Sequence, residues 1–231
     1  MTFQLGMVGT DGILIASDRL STQSGILGQT YAGAFHTDKI MVIESKKLAY
    51  CCAGDQLSII AGQRIVDRIE EPSWEGIRQA LVVCAAEVAA EERKRSADKQ
   101  SWEKLRGGSL LLAYCKYTPL ELWQLDIPAD GMPCAHKISD KIRIGDSTTP
   151  ASFFLERYYR ERPVEELIFL AAHTVLTAGA MNPAGVGGLD IVLCKPSGCE
   201  VLTQDRIGKL RARSEKLHTQ IASSLVPPDP V

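Results

Sequence analysis

Thr2, Asp18, Lys39 and Gly54 have the residue types and the order in the chain to build a nucleophilic site at its start. A threonine hydroxyl alone is a feeble nucleophile. Removal of Met1, favoured when the next residue is small, would give Thr2 a free α-amine with a pKa of about 7.7 to 8.0, within one residue of the hydroxyl whose proton it would take. Such a site also needs a cation beside the hydroxyl and a carboxylate to hold that cation. Lys39 and Asp18 supply these types, and Gly54, at a strand-to-helix junction, offers a backbone N–H for an oxyanion. Taken singly, each residue has a plain reading: a frayed terminus, a strand-ending turn with a local Asp18–Arg19 ion pair, a surface lysine. Only the joint arrangement favours chemistry.

The elements that must position these residues are legible as patterns. Apolar runs over 3–9 and 12–17 flank Thr10-Asp11-Gly12, and an Asp-Gly between such runs predicts an antiparallel hairpin. That hairpin brings Thr2 and Asp18 to one end. KIMVIES and KLAYCCAG predict a second pair, making four strands before a first helix over 56–70. A second helix is expected from near Ser73, with a charged, solvated end. GGSLLLAYCKYTPLELWQLDI reads as two strands, AHKIS and KIRIG as shorter extended pieces, and 149–180 as two helical segments split before Pro163. A hairpin around Pro196-Ser197-Gly198 and a final amphipathic helix follow. Helices in pairs between groups of antiparallel strands suit two stacked sheets with helices outside them. A doubly wound fold does not fit, because the βαβ rhythm and a GxGxxG loop are both missing.

The 231 residues are 45 % hydrophobic and 23 % charged, an ordinary globular balance that predicts one domain over 1–225 with a flexible tail at 226–231. Twenty-six basic residues against 28 acidic ones leave no electrostatic footprint for nucleic acid. The run LIFLAAHTVLTAGAM is too short for a bilayer, and no basic-then-apolar leader is visible, so a cytoplasmic protein with no membrane partner is expected. Seven cysteines lack paired zinc spacing, and Cys51, Cys52, Cys84, Cys115 and Cys194 lie in apolar runs as core residues. His36, His136, His173 and His218 do not fall at metal spacing and follow no serine elbow, so neither a metal nor a cofactor is expected.

With its N-terminal threonine, the GxLIASDR strand end, DKI before the third strand, the AGD junction, GGSLLLAY, IGDSTTPASFFLERYY and GGLDIVL, the chain resembles the proteasome β-subunit-like N-terminal nucleophile hydrolases, including bacterial ring proteases related to the HslV peptidase. The resemblance implies an α+β fold, a four-layer αββα sandwich. It also implies a threonine-type endopeptidase without cofactors, assembled as a homo-oligomeric single or double ring that degrades polypeptides, with an ATP-dependent unfoldase as a possible partner. Thr2 would match the catalytic threonine, Asp18 the second-strand aspartate, Lys39 the lysine it orients, and Gly54 the oxyanion glycine. Arg19 follows the aspartate in the family's manner, and Cys52, Thr37 and Gln56 would line the substrate pocket. The stretch between Asp18 and Lys39 is longer than the family's, which implies an altered loop on that side.

Two places depart from the pattern. Asp146 stands where the family has a serine that supports the N-terminal amine, with Ser147 beside it, and Asn182 and Gly185 take the places of a later aspartate and serine. An anionic Asp146 would raise the amine's pKa and make it a weaker base at neutral pH. The alternatives are therefore a catalytically inactive ring or scaffold subunit, and an amidase or acyltransferase of the same kind acting on a small substrate.

Overall fold

The structure, a computed structural model, describes residues 2–22, 34–54, 56–69, 75–80, 82–83, 87, 90, 107–116, 118–128, 133–145 and 149–225. Strands β1 (Phe3–Val8) and β2 (Ile13–Ser17) form the expected hairpin, in register from Val8 opposite Ile13 to Gln4 opposite Ser17. Its turn closes with the Gly9 N–H donating to the Gly12 carbonyl at 2.8 Å. Nearly every residue of both strands is buried, so the polar-apolar alternation of a one-sided strand is missing. The cause is that both faces are covered: Phe3, Leu5, Met7, Leu14 and Ala16 join one apolar core, Ile13 and Ile15 another.

The chain is α+β, with two five-stranded antiparallel sheets. Among the described residues the short strands β3 (Leu20–Thr22) and β4 (Ala34–His36) pair with each other alone, Leu20 opposite His36. Among the described residues six strands thus precede the first α-helix, where sequence patterning predicted four, because three-residue strands are too short to show a period. The remaining strands are β5 (Ile40–Ile43), β6 (Leu48–Gly54), β7 (Gly108–Tyr114), β8 (Glu121–Ile127), β9 (Cys134–Ile138), β10 (Lys141–Gly145), β11 (Asp190–Lys195) and β12 (Gly198–Val201). The first sheet runs β10-β1-β2-β11-β12, and the second β5-β6-β7-β8-β9. AHKIS and KIRIG, adjacent in sequence, therefore end in different sheets.

Helix α1 (Gln56–Arg68) and a helical stretch at 75–80 pack Ile65, Val66, Ile69, Ile77 and Ala80 on the second sheet's Leu48, Tyr50, Leu110, Leu112 and Trp123. Helices α2 (Ser152–Tyr158), α3 (Val164–Met181) and α4 (Gln204–Leu225) contribute to a core on the first sheet, through Leu155, Leu167, Ala171, Val175 and Ile207. A third core of Ile13, Ile15, Ala49, Cys51, Ala53, Leu111, Leu122, Ile144 and Val192 lies between the sheets. Cys51, Cys115 and Cys194 are buried as expected, Cys52 is half-buried, Cys134 is exposed, and Cys84 lies outside the described residues.

Helix α3 is long and apolar enough by composition to cross a membrane, but ten of its 18 residues are buried in the protein, which is what a core helix requires. It starts at Pro163, and its first free N–H, on Val164, donates to the Asp11 carboxylate at 2.8 Å. The aspartate of the first hairpin turn thereby caps a helix 153 residues later.

His173 of α3 faces α4, with Nδ1 2.8 Å from Ser214 Oγ and its ring 4.7 Å from that of His218. Burial, and secondarily the charge of His218, push its pKa from 6.5 down to about 4. In the unfolded chain the imidazole takes its proton near pH 6.5, before the folded one does. The folded state is thus at full stability above about pH 6.5 and loses up to about 3 kcal/mol as the pH falls towards 4. Urea denaturation at pH 7, 5.5 and 4.5 should show that slope in the native protein and a shallower one in His173→Asn. Parallel slopes would remove His173 as its source.

Candidate active site

Asp18 follows β2 directly and closes the open end of the hairpin. Its N–H donates to the Phe3 carbonyl at 3.0 Å, and the Phe3 N–H returns a bond to Asp18 Oδ1 at 2.9 Å. The Leu20 N–H donates to Oδ2 at 3.0 Å. The carboxylate is completely buried. A buried carboxylate requires a cation, and Lys39, immediately before β5, reaches both of its oxygens at 2.9 Å.

An ammonium has three protons, and Lys39 has three acceptors: the Asp18 carboxylate, the Leu20 carbonyl at 2.6 Å and Thr2 Oγ1 at 3.2 Å. Burial draws the Lys39 pKa below its ordinary 10.5, against the opposing attraction of Asp18. With its protons so placed, the ammonium donates to the threonine oxygen and favours negative charge there; it cannot take the hydroxyl proton while it carries its own. Any removal of the hydroxyl proton would have to fall to a group other than this ammonium.

Thr2 is held from the other side by Gly145, the last residue of β10, which pairs with Phe3. Gly145 has φ +92°, and a Cβ there would lie 2.0 Å from the Thr2 carbonyl oxygen and 3.5 Å from Ala53 Cβ. The first strand is thus seated against the end of β6. Gly54 ends β6 opposite Gly108, with φ +143°, and a Cβ would fall 2.5 Å from Gly108 Cα. A cavity of about 440 Å³ opens here, lined by Ala53, Gly54, Gly108, Ser109, Asp126 and Gly145 among others.

The other residues singled out in the sequence lie around this centre. Arg19 is ion-paired with Asp38 at 2.7 Å and Asp190 at 3.3 Å, and its carbonyl accepts from the Thr37 N–H at 2.9 Å. Arg19 precedes β3 and Thr37 follows β4, and neither lines the cavity. Cys52 points the other way in β6, towards α1, where a Cβ on Gly62 would lie 2.9 Å from its sulfur. Burial raises its pKa to about 12. Gln56 is the first residue of α1. Asn182 ends α3, and its carbonyl accepts from the N–H groups of Gly185 and Val186 at 3.1 and 2.9 Å. Asp146 and Ser147 lie outside the described residues.

Sequence reasoning missed the Leu20 carbonyl, the Phe3 and Leu20 N–H groups on Asp18, the Asp38 and Asp190 partners of Arg19, and Gly145. Backbone atoms carry no residue-type signal. Gly145 alone left a trace, as the glycine of IGDSTT.

Two antiparallel sheets with helices define an α+β architecture, with a threonine, lysine and aspartate gathered at the open end of its first hairpin. Among solved structures, the chain is similar to Anbu (ancestral beta-subunit) from Yersinia bercovieri, with TM-score 0.65 and 16 % identity over 99 % of this chain and 100 % of that one. It is also similar to an Anbu (Gly-1) mutant from Hyphomicrobium sp. strain MC1, with TM-score 0.64 and 14 % identity over the whole of both chains. No family profile and no curated protein matches. These neighbours correct the assignment drawn from sequence motifs, which named the proteasome β-subunits and HslV-related ring proteases: both are Anbu proteins, a proteasome-like but distinct family. At such identity the likeness concerns the fold alone.

Proposed function

We propose that the protein is a threonine-type amide hydrolase, a peptidase subunit of the N-terminal nucleophile kind built on a four-layer αββα domain. The observation that carries this reading is the Lys39 Nζ to Thr2 Oγ1 contact at 3.2 Å, made by an ammonium whose other protons are committed to Asp18 and Leu20. Once Met1 is removed, the Thr2 amine takes the hydroxyl proton as Oγ1 attacks the amide carbonyl. Lys39 steadies the developing charge on Oγ1, and the Gly54 N–H receives the tetrahedral oxyanion. The protonated amine then delivers its proton to the leaving nitrogen, and water, activated by the same amine, cleaves the threonyl ester. Polypeptides are the substrates, and a homo-oligomeric ring is the assembly, with Phe153 and Tyr158, exposed on α2, available for contact between copies.

The test is intact mass and peptide mapping after incubation of Met1-processed protein with a peptide boronate or a β-lactone. One adduct per chain on Thr2 is expected, and none in Thr2→Ala. Processed protein that stays unmodified and cleaves no peptide would point instead to a non-catalytic scaffold subunit.

A further inference from the structure

Asp126 of β8 and Cys134 of β9 are direct cross-strand partners, and His136 lies two residues further along β9, opposite Gln124. Side chains alternate along a strand, so Asp126, Gln124, Cys134 and His136 share the face that continues into Leu122 and Ile138 of the inter-sheet core. Towards Asp126 and Cys134 that face reaches the cavity beside Gly54 and Gly145. The sulfur, one imidazole nitrogen and one carboxylate oxygen lie within 4.8 Å of one another.

We propose that Asp126, Cys134 and His136 bind a zinc-type divalent ion. Cys134 Sγ and His136 Nε2 are 3.4 Å apart. Tetrahedral zinc, with Zn–S of about 2.3 Å and Zn–N of about 2.0 Å, sets these two atoms about 3.5 Å apart. Thiolate, imidazole and carboxylate together suit zinc, whereas magnesium and calcium require oxygen ligands throughout. The carboxylate is already aimed: Ser109 Oγ donates to Asp126 Oδ1 at 2.6 Å, and Gln124 Nε2 donates to Oδ1 and Oδ2 at 2.8 and 3.0 Å. Outer partners of this kind orient a metal-ligating carboxylate and leave it lone pairs for the ion. Three protein ligands leave the fourth position to water, and binding releases the Cys134 thiol proton to solvent. Asp126 and Cys134 line the same cavity as Gly54, so the ion lowers amide cleavage by occupying part of the cleft. That consequence rests on the function proposed above; the binding itself does not.

Titration of the whole protein with Zn²⁺ by calorimetry, and with Co²⁺ by absorbance, tests the site. One ion per chain and a thiolate-to-cobalt charge-transfer band are expected. Cys134→Ser and His136→Ala should each weaken binding by more than about a hundredfold, and Ser109→Ala by about ten- to a hundredfold. Thr2→Ala should bind zinc as the native protein does. Undiminished binding in Cys134→Ser and His136→Ala, or no cobalt–thiolate band, would overturn the site. So would loss of binding in Cys199→Ser, whose sulfur lies 3.2 Å from Cys194 and 3.6 Å from Cys115. Zinc binding by a Met1-processed protein that never acylates even when stripped of metal would sink the hydrolase reading and leave the metal site standing.

Discussion

Lys39→Met should slow acylation of Thr2 by about 10²–10⁴-fold and cost about 3–5 kcal/mol of folding stability at neutral pH. Two effects of one ammonium are removed together. Asp18 is completely buried, and without Lys39 only the Phe3 and Leu20 N–H groups, among the described residues, would face its charge. Breaking such a pair leaves an uncompensated charge in a low-dielectric site, which costs more than the intact pair contributes. Urea denaturation of the variant beside the native protein at neutral pH reads this deficit directly. Adding Asp18→Asn to Lys39→Met should recover most of the stability, because no charge is then buried. It should recover none of the reactivity, since Thr2 Oγ1 still lacks its cation, a loss of about 10²–10⁴-fold in the rate of adduct formation. Full reactivity in the single variant would show that Lys39 serves only to neutralise Asp18.

Gly145→Ala should leave the sheets folded and disable the site. Its φ of +92° disfavours any side chain, and the added Cβ would lie 2.0 Å from the Thr2 carbonyl oxygen, a backbone atom that cannot rotate aside. Either β10 slides or Thr2 is displaced by about an ångström, and a displacement of that size is worth about a hundredfold in rate. The strain adds about 1–3 kcal/mol of destabilisation. The control is Gly208→Ala in α4, where a Cβ meets nothing within 4 Å. There the change should stabilise the helix by up to about 1 kcal/mol and leave Thr2 untouched. Rates of electrophile adduct formation, measured beside thermal unfolding, separate the two variants. Equal adduct rates would mean that Gly145 does not set the position of Thr2.

The motif-based assignment went astray for a related reason. GxLIASDR, DKI and AGD describe the end of a strand, the start of another and a strand-to-helix junction, so they report a shared architecture. Families that share an architecture share such pieces, and they do not separate the HslV-related proteases from Anbu. The zinc-type cluster shows the opposite failure. Cys134 and His136 are two residues apart on one strand, and Asp126 joins them only through strand pairing, so no ligand spacing recognisable in sequence exists.

By itself, the sequence determined what is local: the Asp-Gly hairpin that places Thr2 and Asp18 at one end, the helix after Gly54, the break before Pro163, and Lys39 at a strand start. Hydrophobic periodicity and turn chemistry act over a few residues, and these features need nothing more. The tertiary structure alone decided which sheet KIRIG joins, and so which glycine seats Thr2. It also decided that Leu20 lends its carbonyl to Lys39, and that Asp11 caps a helix in the second half of the chain. Those outcomes depend on backbone groups and on pairing between distant segments. They follow from burying both faces of each sheet at once, which no single stretch of sequence can specify.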